Sequence, residues 1–138
     1  KKYFKPAYDR YCGHECTLTG REYKKYGIKT LHIAKRLMDY SIHPPTIYFP
    51  HFAPYAEETI MIEPPESEGK ETLDDFIDIM IKIADEAKNN PDILKSAPHH
   101  TPVSQTNDAL AVKRAILTYD DEQKLKNELN YQEKDINF

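Results

Sequence analysis

The residues predict an α+β fold, an α/β sandwich in which a small, mostly antiparallel sheet carries helices on one face. Three observations predict it. Residues 12–19 alternate with a period of two, the mark of a half-buried strand. Two β-type runs, 46–49 and 59–62, lie within a stretch (42–67) that holds six of the ten prolines and two of the six histidines. Apolar residues recur at helical spacing on both sides of that stretch. Proline lacks a backbone donor and fixes φ, so the stretch itself cannot be a long helix. The resulting order β, α, β, β, α folds most simply as helices layered on an antiparallel sheet.

Composition sets the bounds. At 138 residues the chain is read as one domain, 1–118, followed by a polar tail, 119–138. That length buries a core without disulfide or metal staples. Mean hydropathy is −0.75, and much of the polarity lies in the tail. A net charge of −4 argues against nucleic acid as a partner, since a general binder shows a basic face. No apolar run approaches the roughly 18 residues that a membrane helix needs, so no membrane span is expected. The charged, aromatic opening does not read as a signal peptide, and a start at Lys1 suggests a piece of a longer protein. Two cysteines without a secretory segment suggest a reducing, cytoplasmic setting. Cys12, His14 and Cys16 invite a zinc reading, but no second ligand pair follows at zinc-finger spacing, so no metal is expected. Two small, buried thiols at alternate strand positions are the plainer reading.

The elements follow in order. Pro6 limits any helix among the first ten residues. The strand at 12–19 points Cys12, His14, Cys16 and Leu18 one way and Gly13, Glu15, Thr17 and Thr19 the other, and Gly20 ends it. Thr30 is a good N-cap for a helix carrying Leu31, Ala34, Leu37 and Met38 inward, with Lys35, Arg36 and Asp39 facing out. His32 within it reads as surface or half-buried. The helix stops at Tyr40 and Ser41, because the residue before a proline avoids helical backbone and His43 precedes Pro44 and Pro45. The two β runs come next, joined by a loop (51–58) long for a hairpin. A second, stronger helix is capped by Ser67 or Thr72 and shows an apolar stripe of Leu73, Phe76, Ile77, Met80, Ile81, Ala84 and Ala87. Asn89, Asn90 and Pro91 end it, and 92–97 is a short helical turn. Asn107 or Asp108 caps a helix to about Leu117. The tail has weak helical spacing at Leu125 and Leu129.

At this point the motifs become specific. The run from Asp39 to Pro50 (DYSIHPPTIYFP), with Met61 to Ser67 (MIEPPES), resembles the C-terminal part of glycine dehydrogenase (decarboxylating), the pyridoxal-phosphate protein of the glycine cleavage system. The likeness is closest to the second subunit of the split bacterial and archaeal form. Tyr8-Asp9-Arg10 with Cys12 and His14-Glu15, Lys29 to Leu37, Lys70 to Asp78, and Ala97 to Pro102 agree in the same order, so the resemblance runs from about Tyr3 to Leu117. Three departures stand out. Pro65 replaces the threonine of the family's EPTES motif, Cys16 stands where the family commonly has an aromatic, and the tail has no counterpart.

The resemblance implies the small C-terminal domain of the aspartate-aminotransferase architecture, pyridoxal-phosphate fold type I. It implies decarboxylation of glycine and transfer of its aminomethyl group to a lipoyl carrier protein by the full enzyme. The partners implied are the enzyme's large domain and subunit 1. No lysine here follows a histidine, as the family's Schiff-base lysine does, and a chain with four glycines has no glycine-rich phosphate loop. The chain by itself is therefore expected to be inactive, to contribute no catalytic residue and to hold no pyridoxal phosphate. A chain cut from its large domain is expected to self-associate. A non-catalytic assembly module that kept the fold is the alternative.

Six residues are candidates for the cleft or a subunit interface. His43, aimed by two prolines, either faces the cleft or caps backbone groups at a helix–strand junction. Thr46 presents a hydroxyl beside it, or is an ordinary strand residue. Glu63 is a cleft carboxylate, or pairs with a helix N-terminus. His14 and Glu15 point to opposite faces of one strand, so at most one of them faces a site. His99 and His100 order the C-terminal crossing, or one reaches the cleft.

Overall fold

A computed structural model describes residues 1–49, 58–113 and 115–128. The chain divides into two compact units, Lys1–Ser104 and Gln105–Phe138. The boundary thus falls ahead of residue 118, where the sequence placed it. The reason is local: no side chain of the helix at Asp108–Lys113 is buried.

In the first unit four strands, β1 (Lys5–Pro6), β2 (Cys16–Thr19), β3 (Thr46–Ile47) and β4 (Thr59–Ile62), form one sheet in the order β1-β2-β4-β3, antiparallel throughout. The α+β reading holds. The register lines up Pro6 with Leu18, Leu18 with Ile60, and Ile60 with Ile47, so one apolar row crosses the whole sheet. Cys16 opposite Ile62 extends that face. The other face carries Thr17, Thr19, Thr46, Thr59 and Met61.

Three helices cover the apolar row: α1 (Thr30–Met38), α2 (Lys70–Asn89) and α3 (Pro91–Lys95). Ile33 and Leu37 of α1, Met80, Ile83, Ala84 and Ala87 of α2, and Leu94 of α3 make one core with Ile60, Phe4, Tyr23 and Ile28. Each buried aliphatic side chain in it contributes roughly 1.5–3 kcal/mol by leaving water.

Several boundaries differ from the sequence reading. Only Cys16–Thr19 of the expected strand at 12–19 pairs, because the partner strand β4 ends at Ile62 and runs into Pro64 and Pro65, which have no N–H to extend a ladder. Residues 12–15 are exposed. β3 stops at Ile47 because Tyr48 turns to φ +61°, although its N–H still donates to the Thr59 carbonyl at 3.0 Å. The two β runs are direct neighbours, while residues 50–57 of the connecting loop lie outside the described residues. β1 was not foreseen; Pro6 is tolerated there because β1 is an edge strand.

Helix caps differ too. Lys29, not Thr30, is the N-cap of α1. Thr30 is fully buried, and its N–H donates to Glu58 Oε2 at 2.8 Å. Glu58, itself buried, thereby caps the positive end of α1 from the start of β4. His32 is half-buried, and its Nδ1 accepts the Lys29 N–H at 3.1 Å. Burial, and then the nearby Lys29, lower the His32 pKa, in keeping with a neutral acceptor. Gly69, rather than Ser67 or Thr72, caps α2.

The α2 stripe is used only in part. Met80, Ala84 and Ala87 are buried as expected and Ile83 joins them, but Leu73 and Ile77 are exposed. In the second unit, α4 (Asp108–Lys113) is capped by Asn107, whose Oδ1 accepts the Leu110 N–H at 3.0 Å. It ends before the expected Leu117. α5 (Tyr119–Glu128) occupies what read as a polar tail, with Thr118 Oγ1 accepting the Asp121 N–H. Leu129 lies outside the described residues.

Two substitutions test this architecture with opposite signs. Ser41 follows α1 in the left-handed region at φ +59°, where only glycine avoids a Cβ clash. Ser41→Gly is expected to stabilise by about 0.5–1 kcal/mol, read as a rise in Tm of a few degrees. A Cβ at Gly20 would sit 2.8 Å from Thr30 Oγ1 and 3.2 Å from Ile33 Cδ1. Gly20→Ala is therefore expected to cost about 1–3 kcal/mol in urea unfolding. An unchanged midpoint would contradict the close packing of β2 on α1.

Candidate functional site

The six candidates fall in two places. Three chain segments meet at one end of the sheet. Thr46 pairs with Met61, and Cys16 with Ile62. The residues that lead into β2 and β3 and out of β4, 14–15, 43–45 and 63–64, therefore leave the sheet at this one end. His14, His43, Thr46 and Glu63 are all exposed there. His14 and Glu15 do not face opposite ways, because they have left the strand: His14 Nε2 lies 3.8 Å from Glu15 Oε2. Cys12 is exposed beside them, and burial, then Cys12, push the half-buried Cys16 thiol up. Among the described residues, no three His, Cys, Asp or Glu side chains are placed to hold a metal ion.

The other two candidates, His99 and His100, belong to a polar knot at the C-terminal end of α1. Its centre is Arg36, which the sequence reading turned outward but which is buried at 8% exposure. Nε and Nη2 of Arg36 donate to the two Glu86 oxygens at 2.9 and 3.0 Å, a bidentate pair across α1 and α2. Nη1 donates to Asp39 Oδ2 at 2.9 Å. The Tyr40 hydroxyl donates to Glu86 Oε1 at 2.8 Å, and the guanidinium lies 4.9 Å from the Tyr40 ring centre. The Glu86 bonds hold the Arg36 pKa above its usual range.

Asp39 carries the knot to the segment beyond α3. Its side chain is 1% exposed. Oδ1 accepts the backbone N–H of His99 at 2.5 Å and of His100 at 3.0 Å, and Oδ2 lies 2.9 Å from His99 Nδ1. A shared acceptor at Oδ2 sets His99 Nδ1 as the donor, and His99 Nε2 meets Ser96 Oγ at 2.9 Å. Burial pushes the Asp39 carboxyl up, but the His99 N–H, Arg36 and the His100 N–H outweigh it and hold it at about 2. Burial likewise raises Glu86, and Arg36 and Tyr40 bring it below its ordinary value. Asp39 thus ties the backbone of His99 and His100 to the C-terminal end of α1.

Arg36, Asp39, Tyr40 and Glu86 were missed as a group. Two signals pointed to them. Arg36 lies at i+3 from Ile33 and next to Leu37, and Glu86 lies at i+3 from Ile83, so both sit on inward-facing stripes. Opposite charges at matching buried positions of two helices are a pair.

Residues 2–104 match the family described as glycine dehydrogenase, C-terminal domain, almost the whole of the first unit. The chain belongs to that family. Among its relatives, one from Bacillus cytotoxicus is 54% identical over 117 residues, 85% of this chain and 23% of the relative. One from Halalkalibacterium halodurans is 51% identical over 118 residues, 86% of this chain and 24% of the relative. One from Staphylococcus haemolyticus is 48% identical over 120 residues, 87% of this chain and 24% of the relative. All three are named probable glycine dehydrogenase (decarboxylating) subunit 2. The chain spans about a quarter of their length. Among the described residues, no helix is long and apolar enough to cross a membrane.

The depressed carboxyl of Asp39 makes a signed prediction. A group whose folded pKa lies below its ordinary 3.8, at about 2, adds stability above that range and loses it as pH falls through it. The contribution is about 2 kcal/mol at neutral pH. Wild-type stability should therefore fall between about pH 4 and pH 2. Asp39→Asn should lower stability at pH 7 by about 2–4 kcal/mol and flatten that acid limb. Urea unfolding followed across pH checks both, and an unaltered acid limb in the variant would refute the role given to Asp39.

Proposed function

We propose that this chain is the C-terminal domain of a two-subunit glycine dehydrogenase (decarboxylating), where it walls the cleft and carries subunit contacts. The observation that carries the reading is that the family match and the first folded unit end at the same residue, Ser104. The name shared by the relatives implies a subunit 1, and glycine and lipoyl carrier protein follow as substrate and acceptor. The sheet end with His14, His43, Thr46 and Glu63 is the cleft-facing rim. His43 is exposed there and stands directly before Pro44 and Pro45, which stiffen the backbone that carries it.

Pyridoxal phosphate supplies the electron sink for glycine decarboxylation when bound. The depression that the described residues form does not fit it. A depression lined by Lys2, Tyr3, Glu22, Tyr23, Lys25, Tyr26 and Lys88 encloses about 50 Å³, far below the several hundred Å³ of pockets that engulf a ligand of that class. Its lysines lie over tyrosine rings: Lys2 and Lys88 over Tyr3, Lys25 over Tyr26. The part left to this chain is to shape the site and exclude water. The Asp39 knot supports that part by fixing the end of α1, from which the His43 segment leaves.

A chimera tests the reading. Residues 1–120 replace the matching C-terminal segment of the Bacillus cytotoxicus relative, which is then assayed with its subunit 1, pyridoxal phosphate and lipoyl carrier protein. Glycine decarboxylation within about tenfold of the parent is expected, and His43→Ala should lower kcat/KM by about tenfold without shifting Tm. A folded chimera without decarboxylation would sink the proposal.

A further inference from the structure

We propose that the N-terminal half of α2 is a docking helix for the polypeptide that makes up the remaining length of the full relatives. The inference rests on the function proposed above and names the surface through which this domain engages the rest of the enzyme. One apolar stripe runs along α2 through Leu73, Phe76, Ile77, Met80, Ala84 and Ala87. The domain core seals it only from Met80 onward, where Met80, Ile83, Ala84 and Ala87 are at most 5% exposed. Before Met80 the same stripe overhangs the core. Leu73 is 37% exposed, Ile77 is 54% exposed, and Phe76 is only half-buried. Leu73, Phe76 and Ile77 stand at i, i+3 and i+4, the spacing with which a helix lies in an apolar groove, and Met80 at i+7 is where the stripe enters the domain's own core.

The flanks state the chemistry of that groove. Glu71, Asp74, Asp75 and Asp78 are exposed around the overhang, and Lys70 is the one basic side chain among residues 70–79; it pairs with Asp74. The complementary surface is an apolar groove rimmed by lysine or arginine. A second copy offers a poor match, because the same acidic rim would face itself wherever the two overhangs lie side by side. The relatives carry about three quarters of their length outside this match, so the full polypeptide has ample surface to supply the groove.

Hydrogen exchange distinguishes the outcomes. In the 138-residue chain alone, the amides of 70–79 should exchange at least about tenfold faster than in the chimera, while those of 80–89 are protected in both. Leu73→Ser with Ile77→Ser should abolish the added protection in the chimera and leave the Tm of the chain alone within about a degree or two, since both positions are exposed. Protection of 70–79 in the chain alone that grows with concentration would assign the stripe to a second copy and overturn the proposal. A chimera that decarboxylates glycine with 70–79 unprotected would overturn this inference and leave the proposed function standing. A folded, inactive chimera with 70–79 protected would do the reverse, and one that does not fold would overturn both.

Discussion

A buried guanidinium, Arg36, is the interaction on which the arrangement of this domain depends. It is held by Glu86 on one side and Asp39 on the other. Removing charge from water is expensive, and a buried ion pair is retained only when its remaining donors and acceptors are also satisfied. Here they are. Glu86 also takes the Tyr40 hydroxyl, and Asp39 takes the N–H groups of His99 and His100. The network therefore specifies geometry more than it adds stability. It sets α1 against α2, and it pins the segment after α3 to the end of α1.

That geometry explains the form of the proline-rich stretch. α1 ends at Met38, the chain turns through Ser41 in a left-handed conformation, and Pro44 and Pro45 lead into β3. β4 returns beside it and runs into Pro64 and Pro65. Prolines at both strand ends stop the ladder, so polar residues gather at the sheet end instead of extending the sheet.

Much of this was legible in the sequence. β4 was read residue for residue, because Thr59–Ile62 is a compact β-branched run bounded by polar and proline residues. The core half of α2 and the break at Pro91 were equally plain. β1 was not, since a two-residue edge strand containing proline has no periodic signal. The histidines at 99 and 100 were noticed, but their partner Asp39 was placed in solvent. A charged residue near a helix end reads as exposed unless its partners, 50 or 60 residues away in this chain, are already known to be adjacent.

The sequence by itself determined the class of the domain, its helices, its central strand and its family, because these rest on local periodicity, proline chemistry and collinear motifs. Tertiary structure alone decided which polar groups are buried and which apolar ones are not. Arg36 and Asp39 went inside because α1, α2 and the segment after α3 converge on them. Leu73 and Ile77 stayed outside because a helix of 20 residues outruns strands of at most four.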